Sequence, residues 1–179
     1  MPGLDDIVIT HELAQRPCRP AAMALEIKAF KAIAETLVSS PRGVAQRLVD
    51  LAMELTGADS TGLSLEDECD GQPVFRWVAT AGELRPHLHQ TLPRDFSPCG
   101  AVVQAGEWML MRDPARYFPY IEALGTPIQE VLLAPFSRAG RAIGTVWAVL
   151  EPGSKPFDAE DLRVLQSLAE FAGMTAQSS

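Results

Sequence analysis

Val131-Leu132-Leu133-Ala134-Pro135-Phe136, then Ser137-Arg138-Ala139-Gly140-Arg141, then Ala142-Ile143-Gly144-Thr145-Val146-Trp147-Ala148-Val149-Leu150 carries the strongest strand pattern of the chain. Two β-rich runs flank a short polar connection holding a glycine, which reads as a β-hairpin. The second run is apolar almost throughout, as a strand buried on both faces is. A hairpin at the centre of a sheet makes the neighbouring pairings antiparallel and places packed layers on both sides.

Downstream, Phe157-Asp158 opens the clearest helix of the chain. Asp158 is a good N-cap, and Phe157 and Leu162 occupy the two positions of a hydrophobic staple. Leu162, Leu165, Leu168 and Ala172 give the buried stripe of a helix over Ala159–Ala176. Upstream, three further strands are expected at Thr61–Leu65, Val74–Thr80 and Trp108–Met111. With Val131–Phe136 and Ala142–Leu150 they make a five-stranded sheet. Glu66 to Pro73 reads as an acidic loop, and Phe75 and Trp77 share one face of the second strand.

Two helices precede the first strand. Met23, Ile27, Phe30, Ile33 and Leu37 recur at helical spacing from Ala22 to about Val38. Ser40-Pro41 reads as an N-cap and first-turn proline, and Val44, Leu48, Leu51 and Leu55 form one face up to Gly57, which suits a left-handed cap. Ser97-Pro98 repeats the start signal, giving a short helix to about Ala105, stopped by Gly106. The fold expected is α+β: a central antiparallel sheet, helices on one face and an irregular capping segment on the other. The domain spans 22–176, after an N-terminal arm over 1–21 that is either loose or a short docking segment, and before a tail at 177–179.

Composition narrows the function. Of 179 residues, 47% are hydrophobic and 21% charged, enough for one packed core. The net charge of −8 repels phosphate backbones and argues against nucleic-acid binding. No apolar run is long enough to span a bilayer, and the N-terminus lacks the pattern of a secretory signal. Three widely spaced cysteines, Cys18, Cys69 and Cys99, suit a reducing cytoplasm better than a disulfide framework.

The same order of elements resembles a GAF domain across about Ala22 to Ala176. The likeness rests on the Leu48–Gly57 helix running into Gly57-Ala58-Asp59-Ser60, and on the strand end Ala79-Thr80-Ala81-Gly82. It rests also on Gly106-Glu107-Trp108, on Ile143-Gly144-Thr145 within the last strand, and on Phe157-Asp158-Ala159-Glu160-Asp161-Leu162. Pro93-Arg94-Asp95-Phe96-Ser97-Pro98-Cys99-Gly100 is similar to a stretch in GAF segments of bacterial sensors, often upstream of histidine kinases. The resemblance implies a sensory domain in signal transduction that holds a small ligand beneath its cap and dimerises through terminal helices, with a histidine kinase among the possible partners. Family members hold cyclic nucleotides, bilins, haem, anions or metabolites, so the ligand stays open.

The candidate site is Arg94, Asp95, Phe96, Ser97, Cys99 and Gly100, with Trp77 and Tyr117 as aromatic wall. A helix N-terminus offers unsatisfied N–H groups and partial positive charge. On this reading the N–H groups of Cys99 and Gly100 face a cavity, Gly100 lets a small polar or anionic ligand approach, and Arg94 adds charge. The plainer reading is a capped helix covering the sheet, with the aromatics sealing the core. Cys99 in the first turn is either a thiol activated by the helix dipole or an inert buried one. The bilin-bearing members of the family attach their chromophore at a cysteine typically followed by histidine. Gly100 follows Cys99 here, which argues against covalent bilin. Free methionine sulfoxide reductases share the fold and give the alternative, a redox enzyme using Cys99; a dimerisation module without ligand is the third. His87 and His89 are read as a solvated pair rather than metal ligands.

Overall fold

In the computed structural model, which describes residues 1–175, one six-stranded antiparallel sheet separates two unlike layers. The elements are α1 (Leu4–Ile7), α2 (Met23–Ser39), α3 (Val44–Thr56), β1 (Ser60–Cys69), β2 (Gln72–Gly82), β3 (Thr91–Pro93), α4 (Pro98–Ala105), β4 (Met109–Arg112), β5 (Glu130–Arg138), β6 (Arg141–Leu150) and α5 (Ala159–Thr175). Strand order is β3-β2-β1-β6-β5-β4, with every neighbouring pair antiparallel. The α+β architecture expected from the sequence is the one observed. The end of the last helix at Ala176 and the tail at 177–179 lie outside the described residues.

The central hairpin forms as read: β5 and β6 pair from Glu130↔Leu150 to Arg138↔Arg141, and Ala139 and Gly140 both take positive φ. A two-residue turn of that kind matches the twist of its strands. The β1–β2 connection differs from the expected loop. The acidic stretch continues β1 to Cys69, and only Asp70-Gly71, at φ 51 and 78, turns the chain. A run of acidic residues on an outer strand end does not prevent pairing, and Asp-Gly is itself a strong two-residue turn signal. The sixth strand, β3, has only three residues and no period to read.

α3 and α5 lie directly on one face of the sheet, while α2 packs outside them. Val44, Leu48, Val49 and Ala52 of α3 meet Leu165, Leu168 and Ala172 of α5 over Leu132, Ala134, Val146 and Ala148 of the strands. α3 ends on Gly57 at φ 68, whose N–H reaches the Met53 carbonyl at 2.9 Å. The Ser40 hydroxyl makes no cap bond; Pro41–Gly43 is a 3₁₀ turn leading into α3. α5 starts with a reciprocal box: Asp158 N–H donates to Asp161 (2.9 Å) and Asp161 N–H to Asp158 (3.0 Å).

α2 departs from its expected orientation. Glu26, Ala29 and Ile33 are its buried residues, and Met23, Ile27 and Leu37 are exposed. Glu26 goes inside because Arg163 of α5 meets its carboxylate at 3.1 Å through Nη1, which supplies the partner a buried charge requires. Val164 and Phe171 of α5, which lie off the Leu162, Leu165, Leu168 stripe, are also used within the chain: Val164 is buried and Phe171 stacks on Phe30 at 5.0 Å.

The N-terminal segment docks on its own sheet. Ile9 N–H donates to Leu110 O at 2.8 Å and Val8 bridges Met111, so the open edge of β4 is covered. Ile7 and Leu13 are fully buried. Arg16 binds Glu130 through two hydrogen bonds, 2.9 and 2.6 Å, and Arg19 reaches Asp158 at 2.7 Å and Asp161 at 2.6 Å.

Candidate functional site

The second face of the sheet carries the cap: the 3₁₀ turn Arg85–His87, β3, α4, and the 3₁₀ turns Pro114–Arg116 and Pro119–Leu124. A β-bulge sets what this face presents. Leu63 pairs with Ala79 but Ser64 pairs with Trp77, which leaves Val78 as an extra residue on β2. The insertion flips the strand's faces. Phe75 and Trp77 therefore join the cap-side core, while Ala79 and Ala81 join the helix-side core.

Between sheet and cap lies a cavity of about 40 Å³. Trp77, Val131, Leu133, Trp147 and Val149 form its floor. The cap contributes Leu84 and Leu92, Pro98 and Cys99 of α4, and Pro114, Ile121, Leu124 and Ile128. Three of these lining side chains carry a heteroatom: Trp77, Trp147 and Cys99. The Trp147 indole donates to Ser64 Oγ at 3.0 Å, and Cys99 Sγ donates to the same oxygen at 3.3 Å. Thr145 Oγ1 donates to Cys99 Sγ at 3.2 Å. The Trp77 Nε1–H is buried and has no hydrogen-bond partner among the described residues. The two indoles lie 4.7 Å apart, tilted by 49°. Trp147 occupies space that Gly62, its pairing partner on β1, leaves open: a Cβ there would come within 2.0 Å of the Trp147 ring.

The sequence-derived candidates separate into three places. Trp77 and Cys99 line the cavity. Arg94, Asp95 and Gly100 border a different, solvent-facing cleft with Phe75, Gln104 and Arg141. In that cleft Arg94 reaches Glu66 at 3.4 Å, and Arg141 also pairs with Glu66, so both cations already face a carboxylate. Phe96 and Tyr117 belong to an aromatic cluster with Phe118 and Tyr120, with Phe96 centroids 5.4, 5.0 and 6.0 Å from the other three. The Tyr120 hydroxyl donates to Phe96 O at 2.7 Å, and burial pushes its ionisation up. This cluster ties the entry of α4 to the Pro119–Leu124 turn and stands outside the cavity wall.

Ser97 caps α4 as expected: its Oγ accepts from Gly100 N–H at 3.0 Å. That bond corrects the expectation that the Gly100 amide faces a ligand, because the cap already satisfies it. Nor does Gly100 hold a ligand entrance open. A Cβ at this position would lie 1.9 Å from the Arg94 carbonyl oxygen, so the glycine serves a close backbone crossing. Cys99 is 3% exposed, and burial raises its thiol above the ordinary value, against opposing hydrogen bonds with Ser64 and Thr145. Desolvation of the thiolate outweighs the helix dipole that suggested activation. Cys18 is exposed, Cys69 lies at the β1–β2 turn, and all three cysteines are free. His87 Nε2 lies 2.8 Å from Leu124 O, joining two cap segments across the roof, and His89 sits at φ 73. Among the described residues no three His, Cys, Asp or Glu side chains gather as a metal site.

The sequence missed the roof residues Leu84, Leu92, Ile121, Leu124 and Ile128. They are scattered over short turns without a period, and the only available signal was apolar residues recurring in otherwise polar loops.

A family model for the GAF domain matches residues 38–175. No curated protein sequence matches the chain. Among solved structures, the GAF domain from Acinetobacter phosphoenolpyruvate-protein phosphotransferase aligns with TM-score 0.67 at 15% identity, covering 87% of this chain and 93% of that one. The GAF-B domain of DevS from Mycobacterium smegmatis aligns at 0.61 and 20% identity, covering 76% and 92%. Free methionine-R-sulfoxide reductase from Neisseria meningitidis, solved in complex with its substrate, aligns at 0.67 and 18% identity, covering 89% and 93%. At these identities the likeness to solved structures is one of fold.

Proposed function

Because the chain belongs to the GAF domain family, we propose that it is a ligand-binding sensory domain of signal transduction, with its ligand held between the sheet and the cap. The supporting observation is the cavity over Trp77 and Trp147, roofed by Pro98 and Cys99 from the 93–105 segment. Sites of this kind are concave, mostly apolar and carry few polar groups. A ligand pressing on α4 acts on β5 and β6, which carry α5 on their opposite face. α5 in turn holds α2 through Arg163–Glu26 and Phe171–Phe30.

The output on this reading is the outer face of α2. Met23, Ile27 and Val38 are 52%, 64% and 87% exposed there. Such a face suits a second copy or a helical signalling partner, a histidine kinase among them. No helix among the described residues is long and apolar enough to cross a membrane.

The test is a thermal-shift screen of small molecules on the wild type and on Val131→Phe, which fills the floor of the cavity. Compounds that stabilise the wild type should leave the filled variant unmoved. A stabilisation that persists in the variant places the ligand elsewhere and defeats the reading. A redox reaction at Cys99 is the weaker reading: the thiol lines the cavity, but burial disfavours the thiolate such chemistry requires.

A further inference from the structure

The segment ahead of α2 touches both layers of the molecule. Ile7 is fully buried in the cap-side core, which also holds Met111 and Phe118. Leu13 is buried in the helix-side core, which also holds Val164 and Leu165 of α5. Between the two, the chain rounds the open edge of β4. Ile9 N–H donates to Leu110 O at 2.8 Å, and Leu110 N–H donates to Thr10 Oγ1 at 3.2 Å. Past the edge, Arg16 binds Glu130 at the start of β5 and donates to Phe157 O at 3.0 Å. Arg19 closes on the start of α5, binding Asp158 through its N–H and Asp158 and Asp161 through its guanidinium. Its other guanidinium nitrogen donates to Leu55 O in α3 at 3.0 Å.

We propose that residues 4–19 form a strap that latches and opens as one unit, and that it carries the state of the cap around the sheet edge to the first turn of α2. This is a route beside the one through the sheet, and it does not depend on which ligand the cavity takes. The strap lies ahead of the residues 38–175 that match the family model.

The strap has no fold of its own. α1 is a single turn of four residues, and a 3₁₀ turn over Thr10–Gln15 follows it. Isolated helices this short do not hold in water. The order of the segment therefore comes from its anchors on other elements, and an anchor lost at one end removes support from the rest.

The anchors are unequal. Arg112 and Glu12 pair at 2.9 Å with side chains 39% and 32% exposed, and so exposed a pair contributes little. Glu130, Asp158 and Asp161 are buried carboxylates. Arg19 supplies the counter-charge for the last two, and Arg16 meets Glu130 at 2.6 Å where Arg112 stands 4.0 Å away. Withdrawing a cation from a buried carboxylate leaves its charge uncompensated. The strap is thus latched by apolar burial at Ile7 and by ion pairs at Arg16 and Arg19.

The connection onward is short and stiff. Only Pro20, Ala21 and Ala22 separate Arg19 from α2, and Pro17 and Pro20 fix their own φ on either side of the latch. α2 buries only Glu26, Ala29 and Ile33. A helix held so lightly follows its leading end.

The experiment is native-state hydrogen exchange by NMR on the full chain, with one substitution at each end of the strap. The reporters are the amides of Ile9, Leu110 and Arg19, and that of Glu26, which donates to Ala22 O at 3.1 Å in the first turn of α2. Arg19→Gln should accelerate exchange at Ile9 and Leu110 by about tenfold or more, the equivalent of one net hydrogen bond. Arg19→Lys keeps the charge, loses the forked contact, and should give the same pattern at a smaller factor. Ile7→Val, which trims one methylene on the far face, should accelerate Ile9, Arg19 and Glu26 by one common factor of about three to ten. Protection within the β1–β6 ladder should stay as in the wild type. Acceleration confined to the substituted end in each variant would mean independent anchors and overturn the strap. An unmoved Glu26 amide in Ile7→Val overturns the coupling to α2. An equal factor in the strap and in the β1–β6 ladder would mean that the segment opens only with the whole domain, and overturns the proposal as well.

Discussion

The two faces of the sheet are built from different kinds of chain. The helix face is covered by α3 and α5, whose apolar residues recur at helical spacing and interlock with Leu132, Ala134, Val146 and Ala148. The cap face is covered by 3₁₀ turns, one three-residue strand and one eight-residue helix. Periodic elements present continuous ridges that fill the space between them. Short turns present single side chains from many directions, and here they leave a cavity and an unpartnered donor. The face that stabilises and the face that offers a site are thus distinguished by period, before any residue-specific chemistry enters.

The largest expected effect breaks the periodic face. Leu168 of α5 is fully buried in the helix-side core. Leu168→Ala should cost about 2–5 kcal/mol by urea denaturation, while the Trp77 and Trp147 indole resonances stay in place. Movement of those resonances would mean that the two layers are coupled more tightly than their separate packing implies.

Next comes a change on the cap face itself. Gly62→Ala drives a Cβ to within 2.0 Å of the Trp147 ring, whose indole also holds Ser64. The ring has to turn or shift, at about 1–3 kcal/mol. The expected signature is a changed Trp147 indole shift together with a weaker response of the cavity to ligands. A variant with wild-type stability and an unmoved Trp147 would show that the strand yields instead.

The third expectation concerns the start of α5. Burial pushes the Asp161 carboxyl up to about 6, against its hydrogen bonds with Asp158 and its attraction to Arg19. A carboxyl raised in the folded state binds its proton more tightly there than in the unfolded chain. Its contribution is therefore most favourable at low pH and declines as pH rises from about 4 to about 6. Relative to Asp161→Asn, the wild type should lose roughly 1–2 kcal/mol across that window, the full shift being reduced by solvent screening. Parallel urea midpoints at pH 4 and pH 7 measure it, and an equal difference at both would contradict the shift.

The same contrast explains how far the sequence could be read. The β5–β6 hairpin, the Asp158 cap and the Val44–Thr56 helix were legible because each depends on neighbours within a few residues. So was the Ser97 cap. The orientation of α2 was legible only in part: of its apolar line, Ile33 is buried and Phe30 packs on the core, but Met23, Ile27 and Leu37 are exposed, and only the distant Arg163 explains why Glu26 is inside. The candidate site was legible in part for the same reason. Of the candidates, Trp77 and Cys99 line the cavity, whereas the bulge at Val78 and the commitment of Arg94 to Glu66 depend on strand partners that no local pattern reveals.

A change at Ser97 acts on the cap alone. Ser97 is 1% exposed and holds the Gly100 amide at 3.0 Å, at the point where α4 passes beneath the Arg94 carbonyl. Ser97→Ala removes that acceptor and leaves a buried N–H unpaired, at about 1 kcal/mol. Pro98 still fixes the first turn, so the helix should persist with a looser entry. Cys99 follows directly, and its thiol donates to the Ser64 oxygen that also receives the Trp147 indole. The loosening should therefore reach the cavity as a faster reaction of Cys99 with a small thiol reagent, with hydrogen exchange in α3 and α5 unchanged. Equal acceleration of exchange on both faces would instead mean that the cap and the helix layer open together, and the division of the molecule into a stabilising face and a yielding one would fail.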